Sequence, residues 1–339
     1  MRVRHGFLTA GLALATGYAF AQDEIEIDWL AYGQFTAEQL DNQGGLSFGS
    51  DHLRFRTQAR YRRTTGAVQI DLGVGNLGDN QPGTFANVIA DVFVNYDIGN
   101  GHGLRFGQFK TPLGMDFNIS TRSLDITKRG LDAGLVLNRD IGLMASGRGI
   151  GRGFGYDIGY FNIAGRSGAT TYTDAQEGED NAYAGRLHYD MGAWHAELAY
   201  GATPDAGGPG TADYEVRDFG IRYGSGDWTV KGEWIDGSNV RGDLSRDENV
   251  YYLHGGYQLN EDVEIVARHY EGESRIAGSK TGLSNTYLGV TWHAYRTPRI
   301  DGRLQVNYVL AGGDELAYTG VRGYRDDAVL VQFQFYVDK

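Results

Sequence analysis

The sequence predicts an all-β protein: a transmembrane antiparallel β-barrel of sixteen strands, with a long third loop folded into the pore. Three observations carry this expectation. Apolar and polar residues alternate with a period of two in one segment after another. The connections between these segments are alternately short and long, as in outer-membrane barrels. The composition of 52 Gly, 22 Tyr and 15 Phe against only 5 Pro, all outside the expected strands, favours strands and turns over helices.

Arg2 and Arg4, the apolar run from Phe7 to Leu14, and the small-x-small site Ala19-Phe20-Ala21 read as a secretory signal over residues 1–21. Residues 22–339 are then one barrel with no second domain. In them no stretch approaches the roughly 18 consecutive apolar residues of a membrane helix. The mean hydropathy of −0.40 is equally that of a barrel, because lipid-facing and lumen-facing residues alternate and cancel. Without Arg2 and Arg4 the chain has 29 basic and 43 acidic residues, a formal charge of −14, which argues against nucleic acid as a partner. The chain has no Cys, so disulfides and thiolate metal sites are excluded and stability must come from backbone closure.

The first strand spans Ile25 to Ala37, with Ile25, Ile27 and Trp29 alternating against Glu26 and Asp28, and a loop around Asn42-Gln43-Gly44-Gly45 follows. The second is the clearest: Leu53, Phe55, Thr57, Ala59 and Tyr61 on one face, Arg54, Arg56, Gln58, Arg60 and Arg62 on the other. A turn at Thr64-Thr65-Gly66 leads to the third strand (Val68, Ile70, Leu72, Val74), and a loop with Asp79 to Gly83 to the fourth (Ala90, Val92, Val94, Tyr96). Gly99-Asn100-Gly101 opens the fifth, which begins at Leu104 and breaks at Thr111-Pro112. Eleven more follow near 139–148, 152–163, 182–190, 193–202, 213–224, 227–236, 249–259, 262–271, 284–293, 300–311 and 328–337. Longer loops are expected near 164–181, 203–212, 237–248, 272–283 and 312–327. Trp29, Tyr61, Tyr96, Trp194, Trp228, Trp234, Trp292 and Tyr308 lie near strand ends, as interfacial girdles require.

Between the fifth and sixth strands the chain wanders for nearly thirty residues, a length that is usually functional. Lys110 to Asp140 holds five basic and four acidic residues, so this loop is relatively cationic in an anionic chain. On Gly107-Gln108-Phe109-Lys110-Thr111-Pro112-Leu113-Gly114, the long loop after it, and Asn138-Arg139-Asp140-Ile141-Gly142, the chain resembles the phosphate- and polyphosphate-selective porins, the porin O/P family. The resemblance implies a homotrimeric sixteen-stranded channel, narrowed by loop three, in the outer membrane of a Gram-negative bacterium.

The row Arg54, Arg56, Arg60 and Arg62 covers about 26 Å of wall at roughly 3.3 Å per residue, and its guanidinium forks suit phosphate or carboxylate. Arg105 shares the lumen parity. The alternative is an ordinary porin wall whose arginines pair with loop-three aspartates. In the loop, Lys110, Arg122, Lys128, Arg129 and Arg139 are candidate attractors and Asp116, Asp125 and Asp132 opposing charges, because rings of charge select ions. Each acid is equally a turn or cap residue that holds the loop on the wall. Arg148, Arg186, Arg222, Lys231, Arg268 and Arg303 also face inward, against Asp71, Asp91, Glu197 and Glu264.

His188 and His195 read as polar lining rather than metal ligands. Gly73-Val-Gly75-Asn-Leu-Gly78 matches GxGxxG but runs into Pro82 with no helix, so no dinucleotide and no other cofactor is expected. Acids at Glu177, Glu179 and Asp180 and at Asp243, Asp247 and Glu248 read as solvated loop charge, with divalent bridges to lipopolysaccharide as the alternative. The sequence therefore predicts a passive channel for small hydrophilic solutes, biased to anions with phosphate foremost, and no enzyme. The alternatives are a weakly selective general porin, a plugged structural barrel, or an outer-membrane lipid hydrolase, for which outward His269 lacks an evident serine.

Overall fold

A computed structural model describes residues 25–42, 44–73, 88–162, 181–204, 210, 212–313 and 323–339. The expected signal, Glu177, Glu179, Asp180 and most of the GxGxxG stretch lie outside these residues. The sixteen strands run Glu26–Leu40 (β1), Leu46–Tyr61 (β2), Thr64–Asp71 (β3), Ile89–Gly99 (β4), His102–Lys110 (β5), Arg139–Ile150 (β6), Phe154–Phe161 (β7) and Ala182–Met191 (β8). They continue with Trp194–Thr203 (β9), Tyr214–Ser225 (β10), Trp228–Ser238 (β11), Arg246–Gln258 (β12), Val263–Ile276 (β13), Ser279–Arg296 (β14), Ile300–Gly313 (β15) and Ala328–Asp338 (β16). Each pairs antiparallel with its neighbour, and β16 returns to β1 through a register from Leu30↔Asp338 to Leu40↔Ala328. The result is a closed barrel without free edges.

Alternation sorts the two faces. On β10 and β11, Phe219, Ile221, Val230 and Trp234 are exposed on the outside, while Val216, Asp218, Lys231 and Glu233 are buried on the inside. Cross-strand aromatic pairs cluster next to the short turns, with ring centroids 4.7 Å apart for Trp194–Tyr223 and 4.5 Å for both Trp228–Tyr257 and Phe154–Tyr189.

Three expectations are corrected. The turn after β2 is Arg62-Arg63, not Thr64-Thr65-Gly66, which already belong to β3. Arg62 therefore leaves the row: it adopts left-handed φ 52° and stacks over the Tyr61 ring. The loop expected over 272–283 is instead a continuation of the sheet, with Glu273↔Gly282 and Arg275↔Lys280 paired and only Ala277-Gly278 in the turn. Both turn residues have positive φ, 47° and 87°, which suits the tight two-residue hairpin.

Candidate functional site

Residues 111–138 leave β5 and lie against the inward-facing side chains of the opposite strands. The neck is closed by Thr111 N–H donating to Asn138 O at 3.1 Å and by the Thr111 hydroxyl donating to Leu137 O. Gly114 then turns the chain at φ 79°, where an added Cβ would sit 2.7 Å from Phe117 and Val136. The turn is thus restricted to glycine by both backbone and packing. It leads into a single helical turn, Met115–Asn118, whose free amides face acids across the lumen. Gly114 N–H donates to Asp218 at 2.8 Å, and the Met115 and Asp116 amides donate to Glu233 at 2.5 and 3.1 Å.

Ion pairs hold the next stretch. Arg268 is 3.1 Å from Asp116 and 2.7 Å from Asp125, and Lys231 is 2.6 Å from the same Asp125. Burial alone would raise the Asp125 carboxyl, but Arg268 and Lys231 outweigh it and hold Asp125 well below the usual carboxylate range. Asp132 has no such compensation: burial, and then the charge of Asp116, pushes it up to about 6. Further along, Gln34 donates to Thr121 O, Gln334 to Arg122 O, Gln305 to Leu124 O and Gln332 to Thr127 O, at 2.9 to 3.2 Å. Beneath these polar ties is an apolar contact: Leu113, Leu131, Leu135 and Val136 are buried with Val216, Ile235, Tyr252 and Tyr270. Burial at about 1.5–3 kcal/mol per side chain makes this contact a main source of docking energy.

The predicted site residues divide into two groups. None of the three loop acids is an exposed charge: Asp116 (buried) and Asp125 (half-buried) anchor the loop through ion pairs, and Asp132 is buried without a hydrogen-bond partner. Lys110 and Arg129 point their charged heads at loop carbonyls, with Lys110 Nζ 2.5 Å from Phe117 O and Arg129 Nη1 2.5 Å from Asp116 O. Lys128 pairs with Glu38 at 2.6 Å and stays one-third exposed, Arg139 pairs with Asp91 at 2.8 Å, and Arg122 lies over the Tyr336 ring. Lys231, Arg268 and Arg303 are covered by the loop.

Among the described residues, two cavities lie between the loop and the β1–β8 wall. The one toward the long-loop end, about 520 Å³, is bordered by Glu38, Asp51 and Asp71 and by Arg54, Lys128, Arg129 and Arg139. The one toward the short-turn end, about 280 Å³, has seven cations, Arg54, Arg56, Arg105, Lys110, Arg139, Arg148 and Arg186, against two carboxylates, Asp91 and Asp157. Arg54 and Arg139 border both, so the cavities meet there. Arg54 pairs with Asp71 at 2.7 Å, whereas Arg105 stacks over the Phe93 ring. Arg60 lies nearer the short-turn rim, exposed and 3.4 Å from Glu26.

Sequence reasoning missed Asp218 and Glu233 as anchors and Asp157 as the acid between Arg148 (2.6 Å) and Arg186 (2.7 Å). Inward parity marks all three, but nothing local reveals what they meet. His269, on the outward face, contacts Thr286 Oγ1 at 2.8 Å and Glu271 at 3.5 Å.

No protein-family model matches the chain, and no curated protein matches it. Solved structures do. OmpF of Salmonella typhi in complex with daunomycin aligns at TM-score 0.69 and 12% identity, over 93% of this chain and 98% of that one. The anion-selective porin from Comamonas acidovorans aligns at 0.66 and 13%, over 93% and 100%. The trimer form of OmpT, an outer membrane protein of Vibrio cholerae, aligns at 0.63 and 14%, over 94% and 100%. The chain has the fold of the outer-membrane porins.

Proposed function

We propose that this protein is a passive outer-membrane channel of a Gram-negative bacterium for small hydrophilic solutes, biased to anions, with inorganic phosphate the leading candidate. The short turns then face the periplasm, residues 1–21 are the export signal, residues 22–339 are the channel, and loop three narrows the aqueous path. The observation that carries the reading is the cavity with seven cations against two carboxylates, entered past Arg54 and Arg139. Groups within a Debye length of about 8 Å dominate the field on a permeating ion, while acids on outer loops are screened. Fixed guanidinium forks favour phosphate oxygens over a simple halide. Trimeric porins of the same fold support a homotrimer here, with lipid and lipopolysaccharide around it and Ile25, Ile27, Val329, Val331, Phe333 and Phe335 in the subunit contact.

A weakly selective general porin is the second reading. It is favoured by the outer cavity, where three carboxylates face four cations. The zero-current potential of the purified protein in a planar bilayer under a KCl gradient, followed by titration with phosphate, separates these readings. Chloride preference and block of chloride current by phosphate are expected. Potassium preference overturns the anion reading, and absence of conductance overturns the channel.

A further inference from the structure

We infer that the β8–β9 hairpin carries a divalent transition-metal site formed by His188, Asp190 and His195, with Glu197 as the group that orients His195. One ligand atom from each of the three lies within 4.8 Å of the others. His188 and Asp190 alternate on one face of β8, and the register Asp190↔His195 brings the second imidazole opposite on β9. The imidazoles stack, with ring centroids 5.8 Å apart and 29° between planes.

The second observation is the state of His188. Its side chain is only 7% exposed, yet neither ring nitrogen makes a hydrogen bond. A buried imidazole without hydrogen bonds carries a desolvation penalty that structures normally avoid. Its Nδ1 is aimed at Asp190 Oδ2, 3.4 Å away, and its Nε2 lies over Gly155, where an added Cβ would come within 2.2 Å. The ring is therefore confined with one nitrogen directed into the cluster. A cation bridging Nδ1 and the Asp190 carboxylate satisfies both.

His195 supplies the rest of a metal centre. Its Nδ1 is 2.7 Å from Asp190 Oδ1 and its Nε2 is 3.0 Å from Glu197, which is buried and lies 3.5 Å from Arg186. With Nε2 engaged by Glu197, Nδ1 is the nitrogen turned to Asp190 and free to ligate. Carboxylate–histidine–metal relays are built this way. Two nitrogens and one carboxylate with an open fourth position suit zinc, nickel or copper(II), not the all-oxygen preference of magnesium or calcium.

The test uses the full chain, purified in detergent without a polyhistidine tag and stripped with chelator. Zinc is titrated against a chromophoric competitor, and folding of each variant is checked by the heat shift of its gel mobility. One zinc per chain is expected. Affinity should fall at least tenfold in His188→Ala and in His195→Ala, and about tenfold in Glu197→Gln, with no competition from a hundredfold excess of magnesium. Absence of micromolar zinc binding overturns the site. So does binding that persists unchanged in folded His188→Ala, which places the metal elsewhere on the chain. The measurement involves no current, so its outcome is independent of the channel reading.

Discussion

Replacing Arg56 and Arg105 together with Gln should shift selectivity from anions toward cations by about an order of magnitude. Both line the cavity with the cationic surplus, and neither is paired with a carboxylate among the ion pairs described, so their removal leaves no buried acid stranded. A unit charge about 6 Å from an ion in water contributes about 0.7 kcal/mol. Screening with a Debye length of about 8 Å reduces this to about 0.3 kcal/mol. The sign is opposite for chloride and potassium, so each arginine changes their permeability ratio about threefold and the pair about ninefold; a higher local field makes this a lower estimate. In a tenfold KCl gradient the full range for a perfectly selective pore is about 59 mV on either side of zero, so the shift is easily resolved. Arg60→Gln with Arg62→Gln is the control. Arg60 is about 13 Å along the strand from Arg56, beyond a Debye length, and the control should change the ratio less than twofold. An unchanged zero-current potential in the Arg56/Arg105 variant refutes the reasoning, as does the control reproducing the whole shift.

Arg268→Met strands the buried Asp116, while Lys231 stays on Asp125, and should cost roughly 3–5 kcal/mol. The buried apolar side chains of the loop, Leu113, Ile126, Leu131, Leu135 and Val136, together outweigh that, so thermal melting should fall while single-channel conductance stays within twofold. Leu131→Ala with Leu135→Ala removes the apolar contact itself and should give a larger, noisier conductance. Gly130→Ala would drive a Cβ to 2.2 Å from the Tyr270 ring; overpacking costs typically about 1–3 kcal/mol, seen as faster amide exchange in residues 128–134. Asp132, pushed up to about 6, favours the docked loop when protonated. Its contribution is full below about pH 4 and fades as pH rises through 6, at up to about 1.4 kcal/mol per unit. Loop protection factors, corrected for the intrinsic pH dependence of amide exchange, should therefore be higher at pH 5 than at pH 7, and Asp132→Asn should remove the difference.

The strand count, the alternation and the position of the long loop were legible because each depends on local periodicity. The β2 row shows the limit: parity placed Arg54 and Arg56 on the lumen face, yet Arg62, two residues past the last regular position, was diverted by a turn that its own sequence did not announce. The β13–β14 hairpin was read as loop because Glu273, Arg275 and Lys280 lack apolar alternation. Above a membrane band, a strand need not show a lipid face at all. The apolar residues of the lumen were invisible for a different reason. Val216, Ile235 and Tyr252 make their strands apolar on both faces, and only the docked loop, distant in sequence, explains why. Charge partners such as Arg268 with Asp116, 152 positions apart, are fixed by closure and not by spacing.

The seam between β1 and β16 has a consequence for assembly. Gln34 and Gln334 share a hydrogen bond across 300 positions of chain, the kind of contact that forms late because its loop-closure entropy is met last. Loop three touches both sides of that seam: Thr121 O accepts from Gln34, and Arg122 O accepts from Gln334. The segment proposed to narrow the passage is thus also a clasp on the zipper. Seating the loop and sealing the cylinder become one cooperative step, so a sequence change that widens the passage by loosening the clasp also slows closure and prolongs the lifetime of an open-edged, aggregation-prone sheet.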